Sequence, residues 1–300
     1  MKAVVFDQFG APEVLRVADV PDIAPQAGEV LIRVRTIGVN PADGKIRSGM
    51  FRDLVPASAM PYIGGYDIAG EIIGGEGLPA GARVAAMVDP RRSGAYAEPT
   101  VASRDRLAIL PESLDYATAA ALPCPGLTAI QMIDEQLDVQ PGQCVAITGA
   151  VGSVGRFAVL AAKDRGAAVV AAVRENARDA AKALGADEVI VFGADYAGDA
   201  FDCVADTVGG DAAAALCRKV KLDGKIRTVA TTPIPTEGVP VDVIFFPVHP
   251  DAAQLERLLD WAASGRIPIP VAAILPLDRA AEAQRRIEEG QAGGKIILQP

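Results

Sequence analysis

From residue 144 onward the chain repeats one pattern: a short, largely apolar run, a turn, then a stretch with helical spacing. Apolar runs at 144–148, 168–173, 188–191, 201–206 and 226–229 predict strands, and 153–164, 177–184 and 212–219 predict helices between them. Strands apolar on both faces and alternating with helices predict βαβ units and a parallel sheet covered on both sides. Upstream the pattern differs. Residues 2–6 and 30–39 alternate or run apolar with β-branched side chains. Gly64, Gly65, Gly74, Gly75, Gly77 and Gly81 punctuate the segment beyond them, and prolines from Pro21 to Pro90 add further breaks. Short strands with such turns predict a barrel-like β domain. Helices are expected at 115–122 and 127–134. The tail carries a helix at 251–264, with Leu255, Leu258, Leu259 and Ala262 on one face and Gly265 at its end. A strand at 271–275, an amphipathic helix at 278–289 and a strand at 295–298 complete it. The least clear strand lies at 236–245, which contains Pro240.

Composition narrows the function. Three hundred residues suit two domains, and 50% hydrophobic with 22% charged residues predicts a packed globular protein. A formal charge of −9 repels phosphate backbones, so no nucleic-acid partner is expected. No apolar run reaches membrane-span length, so no membrane partner is expected either. The start, M-K-A-V-V-F-D-Q-F-G, lacks a basic region followed by an apolar one, and a cytoplasmic location is expected. Cys124, Cys144, Cys203 and Cys217 are scattered without a C-x-x-C pair and read as structural thiols.

The strongest local motif comes directly after the strand at 144–148. Gly149-Ala150-Val151-Gly152-Ser153-Val154-Gly155 is a variant of G-x-G-x-x-G that opens a helix. Gly152 lets the backbone approach a pyrophosphate, Gly155 lets the helix pack closely, and the helix N-terminus offers free N–H groups. An ordinary tight βα turn has the same spacing. At the end of the next strand an NAD enzyme carries an acid for the ribose hydroxyls. Here Arg174 holds that place, with Glu175 next and Arg178 four residues on. Guanidinium groups suit a 2′-phosphate, so NADPH is the expected cofactor; the alternative is a pair of solvated surface arginines.

Further segments carry a resemblance. Gly38-Val39-Asn40-Pro41-Ala42-Asp43, the P-x-x-x-G-x-D-x-A-G run from Pro61 to Gly70, Gly94-Ala95-Tyr96-Ala97-Glu98, the run from Ala121 to Ala129, Asp206-Thr207-Val208-Gly209-Gly210 and Gly294-Lys295-Ile296-Ile297-Leu298 occur in order across nearly the whole chain. In them the chain resembles the medium-chain dehydrogenase/reductase superfamily, in its zinc-independent, quinone-oxidoreductase-like branch. The resemblance implies an α/β fold in which a doubly wound parallel Rossmann sheet, 114–266, is inserted into a GroES-like β-barrel domain, 1–113 and 267–300. It implies cofactor contacts from Asn40, Thr128, the turn from Gly149 to Gly155, Arg174, Thr207, Val208, Phe245, Phe246 and Val248, with Lys295 nearby. For Phe246 a place in the sheet core reads equally well. It also implies a homodimer paired edge to edge along 236–245.

Departures from the family shape the chemistry. Zinc alcohol dehydrogenases of the superfamily carry Cys where Asn40 stands and G-H-E where Gly65-Tyr66-Asp67 stands. This chain has one histidine, His249, read as a turn residue before a helix, and no cysteine before Cys124. Zinc needs about three such ligands, so no metal is expected. Without a Lewis acid, hydride transfer to an already polarised small-molecule substrate is expected, a quinone or a conjugated carbonyl. Asn40, Lys45 and Tyr62 are the candidate catalytic residues, with Tyr66 a further nearby donor. Lys45 stands where some relatives place a tyrosine and could stabilise an enolate, or else is a solvated loop lysine. Two alternatives stay open. One is a non-catalytic NADPH-binding redox sensor. The other is an enoyl-thioester reductase using Arg47, Arg52, Arg91 and Arg92 for a carrier phosphate.

Overall fold

The computed structural model describes residues 1–55, 59–194 and 196–300. In chain order the elements are β1 (Lys2–Phe6), β2 (Arg16–Asp19), β3 (Glu29–Gly38), α1 (Pro41–Arg47), β4 (Tyr62–Ile63), β5 (Asp67–Gly75), β6 (Arg83–Met87), β7 (Pro99–Ser103), β8 (Leu107–Ile109), α2 (Tyr116–Ala120) and α3 (Pro123–Gln131). Then come β9 (Cys144–Thr148), α4 (Gly155–Asp164), β10 (Ala168–Val173), α5 (Arg178–Ala183), β11 (Glu188–Val191), β12 (Phe201–Asp206), α6 (Gly210–Cys217), β13 (Val220–Thr228) and β14 (Val243–Phe245). The chain ends with α7 (Ala252–Ala263), β15 (Val271–Pro276), α8 (Ala280–Glu288) and β16 (Lys295–Gln299). Two compact units result: Met1–Leu127 with Pro250–Pro300, and Thr128–His249.

The second unit is a parallel sheet in the order β11-β10-β9-β12-β13-β14. Its strands are buried as their apolar runs require: Val145, Ala146, Ile147, Val169, Ala171 and Val204 are fully enclosed. The order reverses beside β9, the first strand, so the turn after β9 lies at the switch point of the sheet. β13 begins earlier than the expected 226–229. The polar residues between Val220 and Ile226 mask it, and its register on β12 shifts between Phe201 and Cys203. β14 is much shorter than the expected 236–245.

In the first unit β3 is the central strand. It pairs with β5 along nearly its whole length, with β7 at its start and with β16 at its end. The sheet order β15-β16-β3-β5-β6-β8 therefore joins the last strands of the chain to the first third. Its core holds Val30, Ile32, Ile37, Ile68, Ile72, Val84, Ile296 and Leu298. β1, β2 and β4 form a smaller sheet. Two elements depart from the hydrophobic pattern. α1 is one, since Pro41 and Gly44 read as turn signals; Pro41 in fact fills the first helical position, where its missing N–H has no partner to lose. α3 starts at Pro123 rather than at 127 for the same reason, with Pro123 and Pro125 both in its first turn.

Arg47, at the end of α1, is the largest fully buried side chain. Its Nε donates to Gln284 Oε1 at 2.7 Å, and its Nη groups donate to the Gly10 carbonyl and to Glu288. A guanidinium this deep is tolerable only because every face has an acceptor, and it ties α1 to α8 across 241 residues of chain. Arg47→Ala leaves three acceptors unpaired and is expected to lower the unfolding free energy by about 3 kcal/mol or more in urea titrations; a loss within measurement error would show the pair to be dispensable.

Candidate active site

Each unit carries one concentration of polar chemistry. In the second unit it surrounds the glycine turn. Gly149 adopts φ +62°, and a Cβ there would meet Thr207 Oγ1 at 2.6 Å and Val208 Cγ2 at 2.9 Å. The turn after β9 therefore packs directly on the turn after β12. Thr207 Oγ1 donates to the Thr148 carbonyl at 2.7 Å, and Thr207 N–H donates to Thr148 Oγ1 at 2.9 Å. Beneath them lies the buried Asp206. Its carboxylate accepts from the hydroxyls of Thr148 and Thr228, each at 2.6 Å, and from the N–H groups of Val208 and Gly209. Thr148 and Thr228, which brace three strand ends, carry no motif signal, and sequence reasoning does not find them.

The outer side of this turn is open. Gly152 and Ser153 are exposed, and the N–H groups of Ser153 and Val154 have no backbone acceptor among the described residues. A Cβ at Gly152 would meet only the Gly149 carbonyl, at 3.0 Å, whereas one at Gly155 would sit 2.2 Å from that carbonyl and 2.7 Å from Ala150 Cα. The turn thus fits a pyrophosphate at the start of α4: its Ser153 and Val154 N–H groups have no backbone acceptor, and the Arg156 guanidinium donates to the Val151 and Gly152 carbonyls beside them. Ala150 is buried and Val151 and Val154 are half-buried. At the end of β10, Arg174 is exposed, and Arg178 Nη1 lies 3.8 Å from the Glu175 carboxylate. Glu175 thus pairs with Arg178. On β14 and beyond, Phe245 is half exposed, Phe246 is buried and Val248 is half-buried. Thr128 is buried on α3. His249 precedes α7 as expected, its ring 3.0 Å from Glu135.

In the first unit the end of β3 is held between β5 and β16, with Gly38 opposite Asp67 and Ile297. A Cβ on Gly38 would lie 2.0 Å from the Ala120 carbonyl, so only glycine admits α2 here. Asn40 comes two residues later. Its Nδ2 donates to Asp67 Oδ2 at 2.9 Å and to the Gly38 carbonyl at 3.4 Å, and its Oδ1 accepts from Lys295 Nζ at 2.5 Å. Lys295 Nζ also lies 3.5 Å from Asp67 Oδ2, and Asp67 Oδ1 accepts the Cys124 N–H at 2.8 Å. Asn40, Asp67 and Lys295 are all buried. Burial pushes the Asp67 carboxyl up, against the opposing pull of Lys295, Asn40 and the Cys124 N–H.

Asp43 closes the cluster. Its Oδ2 accepts the Asn40 N–H at 2.9 Å, a capping-box bond at the start of α1, and the Tyr96 hydroxyl at 3.0 Å. Its Oδ1 is buried without a partner. Burial, reinforced by the nearby Asp67, pushes the carboxyl up to about 7. Tyr96 belongs to the Gly94–Glu98 segment, where a Cβ on Gly94 would lie 2.1 Å from the Ile63 carbonyl. Gln284 Nε2 donates to the Tyr96 hydroxyl at 3.3 Å, linking the cluster to Arg47.

The remaining candidates sit differently. Tyr62 is buried in a small core with Phe6, Ile46 and Val55, its ring 5.4 Å from that of Phe6. Burial pushes its hydroxyl up to about 12, so it can donate a hydrogen bond but keeps its proton. Burial raises Tyr66 as well. Lys45 lies on α1 rather than in a loop, half-buried, and burial pulls its ammonium down. The arginines considered for a carrier phosphate are engaged otherwise: Arg47 as above, Arg52 with the Gly49 carbonyl, Arg91 with Asp89 and Arg92 with Glu29.

The donor set does not fit a zinc ion. An ammonium bridges Asn40 and Asp67, and among the described residues no group of three or more His, Cys, Asp and Glu side chains is placed to hold a metal. The two glycines make the cofactor turn testable. Gly155→Ala forces backbone atoms apart and is expected to lower thermal stability. Gly152→Ala is expected to keep the melting temperature within a few degrees while raising the calorimetric Kd for NADPH about tenfold or more. Equal stability losses for the two, or unchanged binding by Gly152→Ala, would remove this assignment.

Likeness to known proteins extends over both units. Residues 26–112 match the model of the alcohol dehydrogenase GroES-like domain, and residues 184–298 match that of a zinc-binding dehydrogenase. The chain is 30% identical to the 2-methylene-furan-3-one reductase of Solanum lycopersicum, over 100% of this chain and 79% of that protein. It is 28% identical to the chloroplastic NADPH-dependent alkenal/one oxidoreductase of Arabidopsis thaliana, over 100% of this chain and 80% of that one. The solved quinone oxidoreductase of Coxiella burnetii superposes with a TM-score of 0.89 at 30% identity, covering 100% of this chain and 99% of that one. The GroES-like β domain, the parallel Rossmann-type sheet and these full-length likenesses together place the chain in the medium-chain dehydrogenase/reductase superfamily, as an oxidoreductase of its quinone-oxidoreductase-like branch.

Proposed function

We propose that this protein is a zinc-independent reductase that transfers hydride from NADPH to quinones or α,β-unsaturated carbonyl compounds. The observation that carries the reading is the cluster at the end of β3. Where zinc alcohol dehydrogenases carry Cys and G-H-E, this chain has Asn40 and Asp67 with the ammonium of Lys295 between them. With no metal to acidify an alcohol, the substrate must be electrophilic already. In this reading the catalytic domain is 1–113 with 267–300 and the cofactor domain is 114–266, whereas the compact units divide the chain after Leu127 and before Pro250.

Bound NADPH supplies the hydride. The turn from Gly149 to Gly155 takes the pyrophosphate on its outward N–H groups. Thr207 and Val208 border it, and Arg174 and Arg178 take the 2′-phosphate. Asn40, Thr128, Phe245, Phe246, Val248 and Lys295 complete the cofactor set in this reading. For an enone, hydride adds to the β-carbon and negative charge develops on the carbonyl oxygen. Lys45 is the candidate to stabilise that charge, with Tyr62 as a neutral donor, whereas both amide hydrogens of Asn40 already go to Asp67 and the Gly38 carbonyl; a proton then reaches the α-carbon. A quinone takes hydride and a proton to give the hydroquinone, whose anion draws its proton from water. The four cysteines are free, which supports a reducing, cytoplasmic setting. A homodimer through β14 belongs to the same reading: β14 is the sheet edge, with Ile244 and Phe245 exposed. A monomer in sedimentation at micromolar concentration would remove it.

The deciding experiment is loss of NADPH absorbance against a panel of quinones and enones, with and without a chelator. Turnover that survives chelation is expected. Tight NADPH binding without turnover would replace this reading with that of a redox sensor. Arg174→Ala is expected to raise the Kd for NADPH about tenfold and leave that for NADH nearly unchanged; equal losses would end the 2′-phosphate role. Lys45→Ala is expected to lower kcat and kcat/KM together, about tenfold for an enone and within about threefold for a quinone. No change with either substrate would make Lys45 a surface lysine.

A further inference from the structure

Gly152 leaves the turn after β9 open, and the same residue makes that turn easy to deform. With no Cβ, a glycine reaches backbone angles closed to other residues, so a carbonyl can swing to where an N–H is needed. In the second unit the group placed to prevent this is Arg156, in the first turn of α4. One edge of its guanidinium meets two successive carbonyls: Nη2 donates to Val151 at 2.6 Å and Nε to Gly152 at 3.2 Å. The Arg156 backbone N–H also donates to the Gly152 carbonyl, at 3.2 Å, whereas the Val151 carbonyl has no backbone donor among the described residues. All these peptides are trans, and the carbonyl and N–H of a trans peptide point in opposite directions. The peptide from Val151 to Gly152 is therefore held at both ends, since the Gly152 N–H donates to the Gly149 carbonyl at 2.8 Å. The peptide from Gly152 to Ser153 is held at its carbonyl end, and its opposite end, the Ser153 N–H, has no backbone acceptor among the described residues. The guanidinium does not crowd the place of a Gly152 side chain: a Cβ there has only the Gly149 carbonyl within 4 Å.

We propose that Arg156 is a positioning residue for the pyrophosphate, acting through the Val151 and Gly152 carbonyls to keep the Ser153 N–H turned toward the anion. This rests on the reading of the turn as the pyrophosphate site of NADPH, and it gives a part to a side chain that the glycine spacing does not mark. The fork of the guanidinium matters. Its Nε–H and Nη2–H lie side by side on one edge of a rigid plane and so fix two carbonyls relative to each other, whereas an ammonium is a point charge on a flexible stem. Without the guanidinium the Val151 carbonyl loses its donor, and the Gly152 carbonyl keeps the backbone N–H alone. The two backbone bonds that remain, from Gly152 to Gly149 and from residue 156 to Gly152, still close the turn, but the Gly152–Ser153 peptide populates other settings beside the competent one. A site that is competent for only a fraction of the time binds with its affinity reduced by that fraction. The loss falls on association, because the ligand meets fewer competent turns; a complex once formed dissociates as before.

The test follows NADPH fluorescence in stopped flow, giving association and dissociation rates for the wild type, Arg156→Met and Arg156→Lys, with melting temperatures taken in parallel. Both variants are expected to associate about fivefold more slowly, to dissociate within about twofold of the wild-type rate, and so to raise Kd about fivefold. Arg156→Lys restores the charge without the fork, so its agreement with Arg156→Met separates positioning from simple attraction of the phosphates. It also keeps most of the side-chain stem, and it carries the test if Arg156→Met fails to fold. A wild-type association rate in Arg156→Lys would make the effect one of charge. Faster dissociation at an unchanged association rate would make Arg156 a direct ligand of the cofactor. A lowered melting temperature with both rates unchanged would make its role merely structural. Each of these outcomes overturns the inference alone. A wild type that does not bind NADPH overturns the functional reading and the inference together.

Discussion

The ammonium of Lys295, buried between Asn40 and Asp67, is the interaction on which the first unit's polar interior depends. Two carboxylates, Asp67 and Asp43, lie in that interior, and an ionised group there is costly unless paired and hydrogen-bonded. Lys295 supplies the pairing charge. It can do so because β16 runs beside β3, which carries residues near 295 to the end of a strand that finishes at Gly38. The return of the chain's tail to its first third is therefore an electrostatic requirement of this site as much as a matter of sheet completion.

The two carboxylates are not equivalent, and the difference is geometric. Asp67 accepts hydrogen bonds on both oxygens, with a cation at hand. Asp43 uses one oxygen for both of its donors and leaves the other bare. The less satisfied group is the one whose protonated form burial and the neighbouring charge favour near neutrality. The Asn40 backbone N–H and the Tyr96 hydroxyl can still bond to it in that form, so the start of α1 keeps its cap. From Tyr96 the contacts run through Gln284 to Arg47, and from there to Glu288 near the surface.

The second unit solves the opposite problem. Its turn leaves the N–H groups of Ser153 and Val154 without a backbone acceptor and yet does not collapse onto itself. The buried Asp206 carboxylate does this from below, with hydroxyls from Thr148 and Thr228 and the N–H groups of Val208 and Gly209 closing around it. Three strand ends are thereby held at one level, and Gly149 packs on the next turn rather than into the open space. The rigidity is placed under the turn, and the Arg156 guanidinium braces its Val151 and Gly152 carbonyls from α4.

How much is legible in the sequence depends on how far each signal reaches. The strands at Cys144–Thr148, Ala168–Val173 and Phe201–Asp206 are readable to the residue, because a strand buried on both faces is a largely apolar run bounded by turns, and the half-buried edge strand Glu188–Val191 is readable from its β-branched residues. The glycine turn is readable because its geometry is local. α1 is not, since a proline and a glycine that look like breakers sit where a helix tolerates them. β13 hides behind polar residues and a register shift. The first unit's cluster is only half visible. Asn40, Asp43 and Asp67 stand out through the segments that contain them, but their dependence on one another does not. Lys295 meets Asn40 across 255 residues, and no periodicity spans that distance. Only the order of strands in a sheet brings such groups together, and that order is fixed by burial of the whole unit rather than by any residue near the site.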